Sequence, residues 1–245
     1  MNLQIHNKEN FVRYFLHPVS KINENVVIKV QPDKISTITC SPDSSVFLNC
    51  IYNDCTASIS DDEVLNVPDI TKLSNAINTI AAKDLKFEYS DKKLKYISSD
   101  IKFQVHLLED GIINTPAVNI DKLKNIEFDC SFDIPYSNLQ TLIKGSTFAT
   151  DTNKLYFEEQ SGRINGVLRD SDNEYINTFS SVVSESFTGN SITTPVPVTF
   201  EVIRMILGLR FITCKAHLST KLNVFLFDIS TDDYNINYIV SGLRR

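Results

Sequence analysis

Alternation of apolar and polar residues dominates the chain and predicts a protein built mainly of β-strands. Segments of strand length that are rich in β-branched and aromatic residues are separated by clusters of turn-forming residues. These segments are 26–30, 35–40, 46–52, 85–89, 94–97 and 101–107. The short spacing between them favours antiparallel meanders over strands that alternate with helices.

Four segments follow a helical period instead. Their apolar residues recur at intervals of three and four, as one face of an amphipathic helix requires. Asp69 is a suitable N-terminal capping residue for the second helix, and Pro18 is expected to help end the first. The predicted helices begin near Asn10, at Pro68-Asp69, near Ser137 or Asn138, and at Thr199.

The order of these elements occurs twice along the chain. The first and third predicted helices are about 128 residues apart by position. The Val67-Pro68 pair before the second helix precedes the equivalent Val196-Pro197 pair by a similar distance. A repeat of architecture at one offset indicates two similar domains.

A segment without a clear period lies between the two halves. It contains Gly111 and the Thr115-Pro116 pair and is expected to be an extended connector. The predicted organisation is therefore a first domain at 1–107, a connector at 108–126 and a second domain at 127–245.

Composition bounds the class of protein. The chain has 245 residues, of which 42% are hydrophobic and 22% are charged, as in ordinary globular proteins. Apolar runs are too short to span a bilayer, and the amino terminus is too polar for a signal peptide. We therefore expect an intracellular protein without a membrane partner.

The chain carries no motif for catalysis. Its five cysteines match neither a disulfide framework nor a metal clip, so we expect reduced cysteines buried on strands. With seven glycines there is no Gly-rich phosphate loop. Acidic pairs such as Asp61-Asp62 are expected to be solvated. These features predict a protein that is not an enzyme and needs no cofactor or metal.

Charge is distributed unevenly, although the net charge is -6. The windows around the predicted helices contain nine basic and three acidic residues, a net charge of +6, whereas the remainder carries -12. The basic residues are Lys8, Arg13, Lys21, Lys72, Lys83, Lys144, Arg204, Arg210 and Lys215. Single lysines on exposed helix faces are usually only solvated, but segregation of this kind predicts a surface that attracts phosphates without reading bases.

The duplicated order of elements resembles the DNA sliding clamps, specifically the two-domain subunits of T-even-type phage clamps and of proliferating cell nuclear antigen. Phe132-Asp133-Ile134-Pro135 followed by 137–142 resembles the entry into the second domain of phage-type clamps. The resemblance covers nearly the whole chain. It implies an α+β fold of two tandem clamp domains, each with two helices packed on curved antiparallel sheets.

The resemblance also implies a function and partners. Three subunits would form a homotrimeric ring that encircles double-stranded DNA and tethers the DNA polymerase, and a separate ATP-dependent clamp loader would open the ring. The nine basic residues would line the hole. The acidic remainder would discourage DNA from binding outside. Ring closure would pair the edge strands 101–107 and 174–182 of neighbouring subunits.

The same resemblance places a pocket for a partner peptide beneath the connector. The apolar pair Ile112-Ile113 in an otherwise polar segment fits either docking of a partner or attachment of the connector to its own domain. The positions that resemble this pocket are Cys40, Pro42, Val46, Leu108, Ile112, Ile113, Ile239 and Val240.

Two other interpretations share the strand content. One is a viral structural or adaptor protein that forms a ring, and the other is a polymerase accessory factor of the same fold that works as a monomer or dimer. The abundance of Asn, Ile, Lys and Ser indicates an AT-rich genome and favours a bacteriophage or other virus as the source.

Overall fold

The structure is a computed structural model that describes residues 1–116, 126–170, 175–211 and 213–243. These residues form four helices and eighteen strands, and the strands pair antiparallel. The chain divides into two compact units. The first holds the described residues up to 116 together with Ser230–Asn237, and the second holds the others. The predicted α+β class is confirmed.

The first unit contains nine strands and two helices in its described main segment. Helix α1 is composite, with α-helical Lys8–Phe11, π-helical Val12–Leu16 and α-helical His17–Ile22. Helix α2 is Ile70–Asn78. The strands are β1 Asn2–Ile5, β2 Val26–Val30, β3 Ile35–Cys40, β4 Val46–Tyr52, β5 Cys55–Ser58, β6 Glu63–Val67, β7 Leu85–Ser90, β8 Lys93–Ile97 and β9 Lys102–His106.

The second half of the chain repeats this order within its described residues. Helix α3 is Tyr136–Gly145 and helix α4 is Phe200–Leu207. The strands are β10 Cys130–Pro135, β11 Lys154–Gln160, β12 Arg163–Leu168, β13 Phe179–Ser184, β14 Thr188–Gly189, β15 Pro197–Thr199, β16 Thr213–Ser219, β17 Val224–Ser230 and β18 Tyr234–Ser241. The first four residues of β18 belong to the first unit.

Strand pairing shows that the repeat extends to the sheets. In the first unit β1 lies between β5 and β7, and β2 lies between β3 and β6. In the second unit β10 lies between β14 and β16, and β11 lies between β12 and β15. Each strand of one set has its counterpart in the other. The predicted duplication of architecture is therefore confirmed.

Helices and strands form because each buries one apolar face. Asp69 caps α2, accepting a hydrogen bond from the backbone N–H of Lys72 at 2.8 Å, as predicted. Below this cap, Ile70, Leu73 and Ile77 are buried at a spacing of three and four. Helices α1 and α2 pack together in the first unit, and α3 and α4 pack together in the second.

Pro18 does not end the first helix, which corrects the expectation from the sequence. The helix continues to Ile22 because its turn before Pro18 widens to a π-helix, in which His17 N–H donates to the carbonyl of Val12. Proline has no N–H for the carbonyl of Tyr14. The buried thiol of Cys50 donates to that carbonyl instead, at 3.3 Å.

The five cysteines lie on strands and are free, as predicted. Cys50, Cys55, Cys130 and Cys214 are buried, and Cys40 is half-buried. Burial raises the pKa of the Cys55 thiol to about 12 and that of Cys130 to about 11. These thiols are therefore neutral and inert at physiological pH.

The segment Ser230–Asn237 completes the first unit from far along the chain. The ring of Tyr234 stacks on that of Tyr14 with centroids 4.1 Å apart. The backbone N–H of Asn53 donates to the carbonyl of Asp233 at 2.7 Å, and Asn49 donates to the side chain of Asn237 at 3.2 Å. The strand pattern alone did not indicate this assignment.

Candidate nucleic-acid interface and partner surface

The polar faces of the four described helices are basic. Within their bounds they contain six basic and two acidic residues, a net charge of +4. The basic residues are Lys8, Arg13, Lys21, Lys72, Lys144 and Arg204. Lys21, Lys72, Lys144 and Arg204 are exposed, and Lys8 and Arg13 are half-buried. These positions turn outward because the apolar residues three and four away turn inward.

Three of the nine predicted basic residues lie outside the helices. Lys83 follows α2, Arg210 occupies the turn after α4, and Lys215 is on β16. Arg210 has a φ of 52°, so a left-handed turn ends the helical region there. The windows drawn around the predicted helices therefore extended past the actual carboxyl ends of α2 and α4. The helices still contain more basic than acidic residues when Lys83, Arg210 and Lys215 are left out.

Several of these cations are already engaged. Lys72 pairs with Asp69 at 3.0 Å, and Arg204 pairs with Glu201 at 3.3 Å. Lys8 donates to the carbonyl of Ile80. Among the described residues no acidic side chain pairs with Arg13, Lys21 or Lys144. Of these three, Lys21 and Lys144 are exposed, whereas Arg13 is half-buried with its guanidinium 5.9 Å from the centroid of the Tyr14 ring.

In each unit the start of the first helix contacts the residues that follow the second helix, although the kind of contact differs. The backbone N–H of Lys8, at the start of α1, donates to the carbonyl of Lys83 after α2, at 2.8 Å. The ring of Tyr136, at the start of α3, packs edge-on against Phe211 after α4 with centroids 5.3 Å apart. The structure therefore brings Lys8 and Lys83 together at one end of their helix pair.

His17 adds a titratable group to the outward side of α1. Burial lowers its pKa below the usual 6.5, and the charge of Lys21 one turn away lowers it further. The imidazole is consequently neutral at physiological pH. The positive charge of this helix then comes from its lysines and arginine.

The start of the connector forms a groove with the end of α1. A groove of about 290 Å³ is lined by Asn23, Asn25, Leu108, Ile112, Ile113 and Asn114. The side chain of Ile112 is 58% exposed. The backbone N–H of Leu108 donates to the carbonyl of Asn66 at 2.9 Å, which fixes the connector where it leaves β9. Three predicted pocket residues, Leu108, Ile112 and Ile113, therefore share one surface.

Of the other predicted pocket residues, only Cys40 is shown to lie beside this groove. Cys40 ends β3, and its carbonyl accepts a hydrogen bond from Asn23 at 3.4 Å, so it adjoins the groove. Pro42 is exposed in the following turn, and Val46 is buried at the start of β4. Ile239 and Val240 belong to the second unit, and the remainder of the connector, 117–125, lies outside the described residues.

The sequence prediction did not include three residues of the groove, Asn23, Asn25 and Asn114. Asn23 ends α1 as its C-terminal cap, and Asn25 follows it before β2. Asparagines at helix ends are common and carry no signal of partner binding by themselves. Only the tertiary fold brings Asn23 and Asn25 against Ile112 and Ile113, whereas Asn114 directly follows Ile113 in the chain.

Both strands predicted to close a ring lie at edges of described sheets. The order of one sheet is β5-β1-β7-β8-β9, and that of another is β13-β12-β11-β15. Strand β9 therefore ends the first sheet and β13 ends the second. Along β9 the apolar Phe103 and Val105 are half-buried, and along β13 Val182 is half-buried. Glu174, at the start of the predicted second edge, lies outside the described residues.

The whole fold is similar to those of several solved structures of proliferating cell nuclear antigen. The protein of A. fulgidus, solved with the C-terminal region of FEN-1, has a TM-score of 0.81 at 9% identity, covering 100% of this chain and 98% of that one. The chain has the sliding-clamp fold. The structure of the Thermococcus kodakaraensis PCNA has a TM-score of 0.78 at 9% sequence identity, with 99% of each chain covered. A chain of the Sulfolobus tokodaii PCNA2-PCNA3 complex has a TM-score of 0.75 at 11% identity, again with 99% of each chain covered.

The clamp fold confirms the resemblance that the order of elements predicted. No family model matches the sequence, and no curated protein matches it either. At such low identity the similarity establishes the fold alone. The roles of individual residues therefore depend on the geometry described above.

No helix in the described part of the chain is long and apolar enough to cross a membrane. The same residues contain no group of three or more His, Cys, Asp or Glu side chains placed to hold a metal ion.

Proposed function

We propose that the chain is a subunit of a DNA sliding clamp. Three copies would form a closed homotrimeric ring that encircles double-stranded DNA and tethers a DNA polymerase, without catalysis or a cofactor. The composition favours a phage or viral replication system inside the host cell. The domains at 1–107 and 127–245 and the connector at 108–126 would be its structural parts.

The observation that carries this proposal is a clamp fold whose helices are basic in an acidic protein. The described helices have a net charge of +4, while the whole chain has a net charge of -6. Lysine and arginine side chains that contact backbone phosphates bind a duplex without selecting its sequence. Contacts of this kind suit sliding, because phosphates are equivalent along the duplex and no contact to a base has to be broken at each step.

The edge strands favour a ring over a monomeric accessory factor. Monomeric proteins usually protect sheet edges with proline, charge or a covering segment. Strand β13 contains no proline or charged residue, and β9 contains only one lysine besides His106. Pairing of β9 with β13 of a neighbouring copy would satisfy both edges and close a head-to-tail ring.

The groove at Ile112 supports the proposed partner site. An exposed aliphatic side chain framed by three asparagine side chains can receive an apolar anchor and bind the backbone beside it. We assign this groove to the polymerase and to the ATP-dependent loader, with Cys40, Pro42, Val46, Ile239 and Val240 as further candidate contacts.

Retention on circular DNA tests the encircling function. We expect the clamp, once assembled on a nicked circular plasmid with its loader, to stay bound through gel filtration and to leave when the plasmid is linearised. The variant Arg13→Glu/Lys21→Glu/Lys144→Glu should lose most of this retention at moderate salt, because three positive charges proposed to face the phosphates become negative.

The matched control is Lys29→Glu/Lys34→Glu/Lys221→Glu, which changes net charge equally but lies outside the helices. The control should be retained like the unmodified protein. Equal loss in both variants, or retention that is indifferent to linearisation, would refute a ring with a DNA-lined hole.

A further inference from the structure

One sheet face departs from the acidic character expected of the surface outside the helices. The solvent-facing side of the β5-β1-β7-β8-β9 sheet carries Lys86, Lys93, Lys95 and Lys102, with Glu88 as the only acidic residue on these five strands. The net negative charge of the residues outside the helices is therefore not shared by this face. Among the described residues none of the four lysines pairs with an acidic side chain.

The strand register places these lysines around one exposed apolar residue. Ile97, 58% exposed, lies opposite Lys102 on β9. Lys86 precedes Phe87, which pairs with Tyr96, so Lys86 flanks Ile97 on the β7 side. Side chains opposite each other on neighbouring strands are within contact distance. Ile97 is therefore held between two lysines.

A groove continues from Ile97 across the sheet. Its volume is about 620 Å³, and it reaches over β7 and β1 to β5. Besides Ile97 and Lys86, the lining residues on the solvent-facing side of the strands are Asn2, Gln4, Thr56, Ser58 and Glu88. Amides and hydroxyls of this kind bind the backbone of an extended peptide.

We propose that this face, the lysine face, binds an acidic peptide segment of a partner protein, with an apolar side chain of the segment on Ile97 and its carboxylates on the flanking lysines. The binding does not depend on the DNA-clamp function. Pairing of the β9 edge with another subunit would use backbone groups at the edge and would leave the face free.

The chemistry of the lysine face favours a peptide over nucleic acid. Single strands bind through aromatic side chains on which bases stack, and no Phe or Tyr points outward among the described strands of this sheet. A duplex backbone gains nothing from Ile97, whereas Glu88 repels phosphates and carboxylates alike and favours neither ligand. An acidic segment with one apolar anchor uses both the lysines and Ile97.

Fluorescence anisotropy tests the proposal. The probe is a fluorescein-labelled peptide of alternating glutamate and serine with one central leucine, and the comparison probes are the same peptide with serine in place of leucine and a labelled oligothymidylate. We expect Lys86→Glu/Lys102→Glu to weaken binding of the leucine peptide by about tenfold through charge reversal. Ile97→Ser should weaken it by about fivefold, and only when leucine is present.

The control Lys29→Glu/Lys221→Glu has the same net charge as the first variant and should bind the leucine peptide normally. All of the substituted residues are exposed, and thermal melting verifies that each variant is folded. Absence of binding by the unmodified protein, or equal weakening in the control, would overturn the proposal. Tighter binding of oligothymidylate that is lost in Lys86→Glu/Lys102→Glu would assign the face to nucleic acid instead.

The helix variant Arg13→Glu/Lys21→Glu/Lys144→Glu separates this proposal from the clamp function. It should keep its affinity for the leucine peptide even where retention on DNA is lost. Loss of peptide binding in that variant would show that the peptide binds the helices and not the lysine face.

Discussion

At the scale of single residues, Cys50 shows how a side chain can compensate for a proline in a helix. Its buried thiol donates to the Tyr14 carbonyl that Pro18 leaves without an N–H. A buried carbonyl without a donor loses the free energy of its hydration and regains nothing. The role of Cys50 is therefore local and structural.

We predict that Cys50→Ala lowers the free energy of unfolding by about 1–3 kcal/mol through the lost donor and the small cavity. Cys50→Ser should recover part of this loss because its hydroxyl can donate at the same place. Urea denaturation measures both variants. Equal destabilisation by alanine and serine would argue against the hydrogen bond.

Two histidines make stability depend on pH. Burial lowers the pKa of His17 and of His217, and Lys21 and Lys215 respectively lower these values further. The unfolded chain therefore binds protons more readily than the folded one below about pH 6.5. The stability that these neutral histidines provide is complete above that pH and declines as pH falls toward their folded pKa values.

We predict a decrease in melting temperature between about pH 7 and about pH 5.5, a range in which histidine titrates and ordinary carboxylates do not. The decrease should be smaller in His17→Gln/His217→Gln. Scanning calorimetry at both pH values gives the comparison. An unchanged pH dependence in the double variant would assign the effect to other groups.

At the scale of elements, the sequence predicted the type and order of the helices and strands well, but it did not predict the tertiary contacts between them. The four helices, the cap at Asp69 and the repeat follow from local periodicity, so they could be read without tertiary information. The passage of α1 through Pro18 could not, because it depends on Cys50 from a strand far along the chain. The approach of Asn23 to Ile112 is equally a product of the tertiary fold.

The groove beside Ile112 carries a prediction about partner binding. Ile112→Ser/Ile113→Ser should weaken binding of the polymerase by about tenfold or more, since two aliphatic anchors are lost, while retention on circular DNA persists. Surface plasmon resonance with immobilised polymerase measures the loss. Ile97→Ser, which removes an equally exposed aliphatic side chain elsewhere, is the control and should bind polymerase normally.

Helix α3 and the edge strand β13 depend on each other through Gly145. A methyl group at Gly145 would collide with the ring of Phe179 on β13. We predict that Gly145→Ala displaces Phe179, costs roughly 1–3 kcal/mol of stability, and weakens association between subunits. Denaturation and gel filtration report the two effects. A stable Gly145→Ala variant with unaltered association would separate this contact from the edge.

At the scale of the whole molecule, the decisive property is the number of subunits. A trimer of the 27.7 kDa chain is expected from a clamp with two domains in each subunit. Light scattering across a dilution series should show a species of three chains that dissociates without stable dimers. A monomer at every concentration would contradict a ring that closes by itself.

The first unit takes Ser230–Asn237 from the last strand of the chain, and this has a consequence for how the protein is made. Tyr234 is synthesised 220 positions after Tyr14, and Asp233 is synthesised 180 positions after Asn53, so neither contact can form until this late segment has been made. The first unit therefore cannot complete its fold until Ser230–Asn237 has been synthesised. Contacts so distant in sequence slow folding, and a nascent chain stopped early would expose an unpaired strand to its neighbours.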